Sequence, residues 1–307
     1  AMITFLSGGT GAPALISGVR QVLYDHDIAV VASTAEDFWV SGGHAAPDID
    51  TTLFLLAGIL DTSSWWGIKG DTYATHTYLP KVAGVEPFPV GDRARAVQIA
   101  RATLLRRGLS LTEAVQAQCR ALSIGATVLP VTDTEAGVLV DTGTERLPLF
   151  EYWTAAAADT EVRELVPAAP APAPEPPAVT DEVRAVIEAS DAVVIGPANP
   201  ARCILPILDC ARMRDLLSDR FVVAVSPFSG DVPPGPKDAA LMYAVGENPT
   251  SPGVFRLYQD VVDVFVQDIH DPDPVPGSLR LETHLLHDQQ AEALAWDLMA
   301  VIRHAVS

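Results

Sequence analysis

The chain has 307 residues, the length of one large α/β domain or of such a domain with a smaller appendage. Its 20 basic and 39 acidic residues leave a net charge of −19, a field that repels a nucleic-acid backbone. Apolar residues make up 49% of the sequence, which excludes a disordered chain, and no uninterrupted apolar run is long enough to span a bilayer as a helix.

Ile3 to Ser7 reads as a short buried strand, followed at once by Gly8-Gly9-Thr10-Gly11 and an apolar-periodic helix from Pro13 to Leu23. Ile28 to Ala32 is a second buried strand, so the chain opens as a βαβ unit. Helices are expected over Thr51–Leu60, Arg93–Leu105 and Leu111–Leu122, and strands over Thr127–Thr132 and Gly137–Asp141. A Pro-rich stretch at 167–177 fits neither a helix nor a central strand and reads as an extended surface insertion. The sheet pattern then resumes: helix Asp181–Ser190, strands Val193–Gly196, Phe221–Ser226 and Val261–Val266, and a closing amphipathic helix Asp288–Ala305. The fold class is therefore α/β, a Rossmann-like and mainly parallel sheet with helices on both faces. It is read as one domain over 1–307, with a smaller helical subregion around 60–125.

The N-terminus has no basic n-region, so no secretory leader is expected, and Cys119, Cys203 and Cys210 lack metal-site or disulfide-framework spacing. A cytoplasmic protein is the expectation. Only Lys69, Lys81 and Lys237 are lysines. Such arginine-dominated acidity fits either a GC-rich genome or a salty cytoplasm. The second is favoured, because arginine bias alone does not remove net positive charge and a Debye length of about 3 Å at 1 M salt tolerates crowded carboxylates.

Several strands end in small or polar loops: Ser7–Thr10, Ser33–Asp37, Gly196–Pro200 and Ser226–Gly230. In an open α/β sheet, loops at the carboxyl ends of strands line the ligand crevice. Gly8-Gly9-Thr10-Gly11 allows backbone N–H groups to approach a phosphate at a helix N-terminus. It also satisfies the loose dinucleotide fingerprint, with Glu36 or Asp37 where a ribose-binding acid belongs, so the loop alone does not separate NAD from another phosphorylated ligand. Asp37, Asp48 and Asp50 form a carboxylate group suited to Mg²⁺, which takes one or two carboxylates plus substrate phosphate oxygens; Asp50 fits equally as a helix N-cap. Trp65-Trp66 is either a stacking platform or a pair of core anchors. Asp92 is a candidate helix cap, and Arg93 offers a fork for phosphate or carboxylate. His284 and His287 lack a third zinc ligand. Neither a nucleophile elbow nor a P-loop is present.

Taken together and in order, Gly8–Gly11, Ser33–Asp37, Pro47–Thr51, Trp65–Gly67, Gly91–Arg93, Gly196–Pro200 and Ala224–Pro227 resemble the 2-phospho-L-lactate transferase (CofD) family of coenzyme F-420 biosynthesis. The resemblance runs from residue 2 to about residue 268. It implies transfer of a phospholactyl group from lactyl-2-diphospho-5′-guanosine to the terminal ribityl hydroxyl of the deazaflavin Fo, with release of GMP and a need for Mg²⁺. It also implies a Rossmann-like fold with a smaller helical part, and a homodimer. Carried over position by position, Asp50 and Asp37 are the expected catalytic residues and Asp37, Asp48 and Asp50 the metal ligands. Gly8, Gly9, Thr10, Gly11, Asn199 and Ser226 are expected at the nucleotide and its phosphates, and Asp50, Arg93, Trp65 and Trp66 at Fo. Ser33, Ala94 and Ala198 depart from the family's frequent Asn, Asp and Ser. Bacterial relatives use a phosphoenolpyruvyl donor, which these motifs do not distinguish. A regulator that binds nucleotide sugars shares the Gly-Gly-Thr-Gly opening, but its second loop runs Asp-Asp-Gly-Gly-Ser-Ser-Gly, unlike Ala35-Glu36-Asp37-Phe38-Trp39. An oxidoreductase rests on the loose fingerprint alone.

Overall fold

Runs such as Ile28–Ala32 and Ala192–Ile195 show no polar alternation, the mark of strands covered on both faces, and both are buried along their whole length. The computed structural model describes residues 2–169, 175–229 and 231–307. Its strands are β1 (Ile3–Ser7), β2 (Ile28–Ala32), β3 (Phe38–Val40), β4 (Gly43–Ala45), β5 (Thr127–Pro130), β6 (Val138–Asp141), β7 (Arg146–Pro148), β8 (Glu164–Pro167), β9 (Ala192–Ile195), β10 (Phe221–Val225), β11 (Val264–Asp268) and β12 (Leu279–Leu281). Seven of them form one parallel sheet in the order β12-β11-β10-β9-β1-β2-β5. Beside it lie the β3–β4 hairpin and a small antiparallel sheet, β7-β6-β8.

Helices cover both faces of the main sheet. On one side α1 (Gly11–Val19) and α2 (Pro47–Leu56) share a core with strand residues Phe5 and Val30. The short α3 (Ala74–Tyr78) follows on the surface. Next come α4 (Asp92–Arg106) and α5 (Leu111–Ala121), whose Ala94 and Val115 join the same core. After α6 (Leu149–Ala155), which packs against the small sheet, α7 (Asp181–Ala189), α8 (Leu205–Leu208) and α9 (Met213–Ser218) build the opposite face through Ile187, Ile207 and Leu217. α10 (Pro236–Ala244) and α11 (Ser251–Tyr258) complete that side, and α12 (Asp288–Val306) returns to pack along α1. No helix among the described residues is long and apolar enough to cross a membrane.

The expected mainly parallel α/β fold is observed, with shifts at some element ends. α1 closes at Val19 rather than Leu23, and the strand expected at Val261–Val266 occupies Val264–Asp268. α2 begins at Pro47, not Thr51, because proline's fixed φ and missing N–H suit the first helical turn. Asp48 and Asp50 therefore sit inside that turn, and Asp50 is not the N-cap. In the Pro-rich stretch, β8 ends at Pro167 and residues 175–177 form no helix or strand, while 170–174 lie outside the described residues.

Candidate active site

From β1 the chain steps to β2 and β5 on one side, and from β9 to β10, β11 and β12 on the other. The order reverses between β1 and β9, and the crevice outside the carboxyl ends of such a pair is the ligand site of open α/β sheets. The glycine loop after β1 and the Gly196–Pro200 loop after β9 meet there. A Cβ on Gly11 would lie 2.0 Å from the Pro197 carbonyl oxygen, so only glycine allows the approach. Gly9 takes φ +64° and its N–H donates to Asp48 Oδ1 at 2.8 Å. Gly8 is buried against Asp48 and Cys203. Thr10 stands exposed at the N-cap of α1, whose first turn carries no acidic residue, so the positive helix end opens toward the crevice.

Beneath the loop lies a buried acidic cluster. Asp50 is ion-paired to Arg101 Nη2, and its Oδ2 accepts the Ala46 N–H at 3.3 Å. Arg101 is fully buried; its Nε donates to Gln118 and its Nη1 to the His44 carbonyl, both at 3.0 Å. Burial and then the same guanidinium lower His44 to about 4, and its Nδ1 has no partner. Glu36 is clamped by Arg202 through Nε at 2.7 Å and Nη2 at 3.0 Å. Asp37 differs from these: both its carboxylate oxygens are sealed from solvent and bond to nothing. Burial pushes its pKa well up; Arg101 opposes this, and Asp50, Asp48 and Glu36 add to it. Asp48 uses one oxygen for Gly9 and leaves Oδ2 unpartnered. Burial and Glu36 raise it to about 8, against Arg202 and the Gly9 N–H. The cluster thus has four carboxylates against two guanidiniums, and the excess falls on Asp37 and Asp48.

On the other side of Asp50 runs a narrow cleft walled by Asp50, Trp66, Asp71, Tyr73, Gly91 and Gln98. Trp66 belongs to an aromatic cluster, 4.8 Å from Phe150 and 6.3 Å from Phe88, so it is both a core anchor and a cleft wall. Trp65 faces elsewhere: with φ +54° it packs on the main core and lines a separate groove with Leu285 and His287. Arg93 is exposed at the cleft mouth, its guanidinium donating to the Gly70 carbonyl at 3.0 Å and its N–H to Asp71.

Asn199 and Ser226 have local partners. Asn199 Oδ1 accepts the Arg202 N–H at 3.2 Å, and Nδ2 donates to Asp238 Oδ1 at 2.9 Å. Ser226 accepts the Phe228 N–H and shares a 2.7 Å hydrogen bond with Ser251, which itself bonds Asp271. His287 caps α12, and His284 lies 3.1 Å from Asp231; the two do not converge.

Magnesium is a hard cation that accepts one or two carboxylates together with substrate phosphate oxygens. Among the described residues no three His, Cys, Asp or Glu side chains converge as a ready cage. The unpartnered oxygens of Asp37 and of Asp48, which bonds the Gly9 turn, match the partial donor set such an ion takes from protein. Asp50, gripped by Arg101, has less to give.

Arg101 and Arg202 carry the electrostatics of the cluster, and neither was among the expected site residues. Arg101 is one of several arginines on α4; its only signal is position, since it shares the buried stripe with Ala94, Gln98 and Ala102. Arg202 sits three residues beyond Asn199, and nothing in its neighbours announces the pairing with Glu36 across the molecule.

The family model described as 2-phospho-L-lactate transferase CofD matches residues 3–301. A curated 2-phospho-L-lactate transferase of Methanocorpusculum labreanum is 44% identical over 301 residues, covering 97% of this chain and 98% of that protein. Another, from Methanospirillum hungatei, is 41% identical over 298 residues, covering 97% and 99%. A crystal structure of a UPF0052-family protein from Bacillus halodurans superposes with a TM-score of 0.54 over 95% of this chain and 89% of that one, at 13% identity, a likeness of fold alone. The parallel sheet, the glycine loop at its switch point and the acidic cluster beneath it are thus those of a chain that belongs to the 2-phospho-L-lactate transferase (CofD) family.

Proposed function

We propose that the chain is a 2-phospho-L-lactate transferase. It transfers the phospholactyl group of lactyl-2-diphospho-5′-guanosine to the terminal ribityl hydroxyl of Fo and releases GMP. The observation that carries this reading is the pair of buried, unpartnered carboxylates, Asp37 and Asp48, next to the glycine loop. Transfer at phosphorus calls for positioning and charge neutralisation rather than a protein nucleophile. The three cysteines fit that absence, since burial raises each thiol, Cys119 to about 11 and Cys210 to about 12.

The donor's diphosphate lies over Gly8–Gly11 and the N-terminus of α1, where backbone N–H groups and the helix dipole favour negative charge. Asp37 and Asp48 would hold Mg²⁺, which would supply the positive charge that offsets the diphosphate. Fo docks at the mouth of the narrow cleft walled by Asp50 and Trp66, and the ion pair with Arg101 fixes Asp50 in that wall. The ribityl oxygen attacks the lactyl-bearing phosphorus in line, the bridging P–O bond breaks, and GMP leaves with the bonding electrons. The hydroxyl proton passes to Asp50, which lines the cleft and lies outside the pair proposed for the metal.

Incubating the protein with Fo, Mg²⁺ and either the lactyl or the enolpyruvyl guanosine diphosphate donor tests this directly. GMP and a product of the mass of phospholactyl-Fo are expected with the lactyl donor. GMP with the other donor alone would move the reading to the enolpyruvyl variant, and GMP with neither would overturn it.

A further inference from the structure

Arg202 is a buried cation that the reaction scheme above leaves unused. Glu36 takes two of its three guanidinium nitrogens, Nε and Nη2. The guanidinium carbon lies over the Trp153 ring, 4.1 Å from its centroid, and Lys237 Nζ donates to the Trp153 carbonyl at 2.8 Å. The guanidinium is therefore held at one edge and across one face, and its side chain is over nine-tenths buried. The third nitrogen, Nη1, has no hydrogen-bond partner among the described residues and is not among the sealed atoms. It lies 3.9 Å from the point where a Cβ on Gly9 would stand, and Gly9 has no side chain to fill that space. A planar fork immobilised on one side and open on the other is arranged to donate to an oxyanion.

We propose that Arg202 Nη1 is a binding group for the donor's diphosphate, holding an oxygen of it against the Gly9 turn. This rests on the transferase reading and adds to it a side-chain contact for the anion from the far wall of the crevice. Because Glu36 offsets the charge of Arg202, the contribution is directional: Nη1 fixes where the diphosphate sits, and does not raise the local net charge. The acidic groups that interact with Arg202 are Glu36, Asp48 and Asp238, so the ligand favoured here is a metal-bound diphosphate rather than a free anion.

The test uses inorganic diphosphate with Mg²⁺ as the probe, titrated into the full-length protein by calorimetry, with Fo binding followed separately by its fluorescence. Arg202→Met alone would leave Glu36 buried without its partner, so the informative variant is Glu36→Gln/Arg202→Met, with Glu36→Gln alone as the control. Loss of a charge-assisted hydrogen bond should weaken diphosphate binding by about 10- to 100-fold in the double variant. Glu36→Gln should bind the probe at least as tightly as the parent, and Fo affinity should stay unchanged in both. A purely structural role for Arg202 would weaken both variants alike or neither, and either result overturns the proposal. Failure of the transferase reading is separable: Arg202-dependent diphosphate binding without GMP release in the donor assay would leave this contact standing and remove that reading.

Discussion

Arginines of α4 reach two carboxylate clusters, Arg95 the one at Glu86 and Arg101 the one at Asp50, and the two clusters are treated in opposite ways. Glu86 is almost fully enclosed, yet Arg95 donates to both its oxygens at 2.7 Å and His76 Nδ1 lies 2.7 Å from Oε2. Burial pushes that carboxyl up, but the hydrogen bonds from Arg95, Ser41 and His76 outweigh it and hold the group at about 2. Asp48 is as enclosed as Glu86, Asp37 is half-buried with its carboxylate oxygens sealed, and among the described residues three of their oxygens have no partner. A buried polar group left unpaired costs stability, and the chain tolerates that cost twice within one cluster. Complete pairing at Glu86 pins the segment around α3 to α4. Incomplete pairing at Asp37 and Asp48 leaves lone pairs for something that arrives, and such local violations gather at functional sites.

The largest expected effect comes from breaking the satisfied cluster. Arg95→Met removes the guanidinium that holds both oxygens of buried Glu86 and leaves it only His76 and Ser41, and loss of about 3 kcal/mol is expected in chemical denaturation. Asp48→Asn and Asp37→Asn should behave in reverse. Each removes a charge that the fold does not neutralise, so stability should hold or rise, while phospholactyl transfer falls about 100-fold, roughly 2.7 kcal/mol of barrier. If either amide variant kept near-parental turnover at saturating Mg²⁺, the unpaired oxygens would have no role in the reaction. If Arg95→Met melted like the parent, the contrast between the two clusters would be empty.

The sequence reveals this contrast only in part. β2, β9 and β10 are plain in it, because strands covered on both faces need unbroken apolar runs of four or five residues, and β1 departs from such a run only at Thr4 and Ser7. Gly9 and Gly11 are equally plain, since a turn with positive φ and a backbone pressed on another loop admit little else. Asp37, Asp48 and Asp50 stand out as acids near that turn, but their difference does not. Whether a carboxylate is paired depends on arginines 51 and 166 residues distant in sequence, Arg101 for Asp50 and Arg202 for Glu36, and local pattern carries no trace of such partners. Trp65 and Trp66 show the same limit at short range. They are adjacent in the chain, yet positive φ at Trp65 turns one toward α12 and leaves the other on the Asp50 cleft.

The two clusters should also separate by pH, with a smaller effect. Asp48 has a folded pKa raised to about 8 by burial and Glu36, above its unfolded value of 3.8. The folded state then holds a proton that the unfolded chain has lost, so its stabilising effect is complete below about pH 4 and drains away as pH rises through 8. Glu86, lowered to about 2, has the opposite sign: its contribution is present above its ordinary range and is lost only in strong acid. Between pH 6 and 8 Glu86 is silent, and metal-free protein should lose up to about 2 kcal/mol through Asp48, one proton at about 1.4 kcal/mol per pH unit with the slope easing near the midpoint. Added Mg²⁺ should flatten that slope, because a bound cation replaces the proton on Asp37 and Asp48, and Asp48→Asn should flatten it without metal. Thermal denaturation of the parent and of Asp48→Asn, with and without Mg²⁺ at several pH values, measures all of this. A parent slope unchanged by both the substitution and the ion would mean that the proton resides elsewhere, and the acidic cluster would lose its distinction from the paired one.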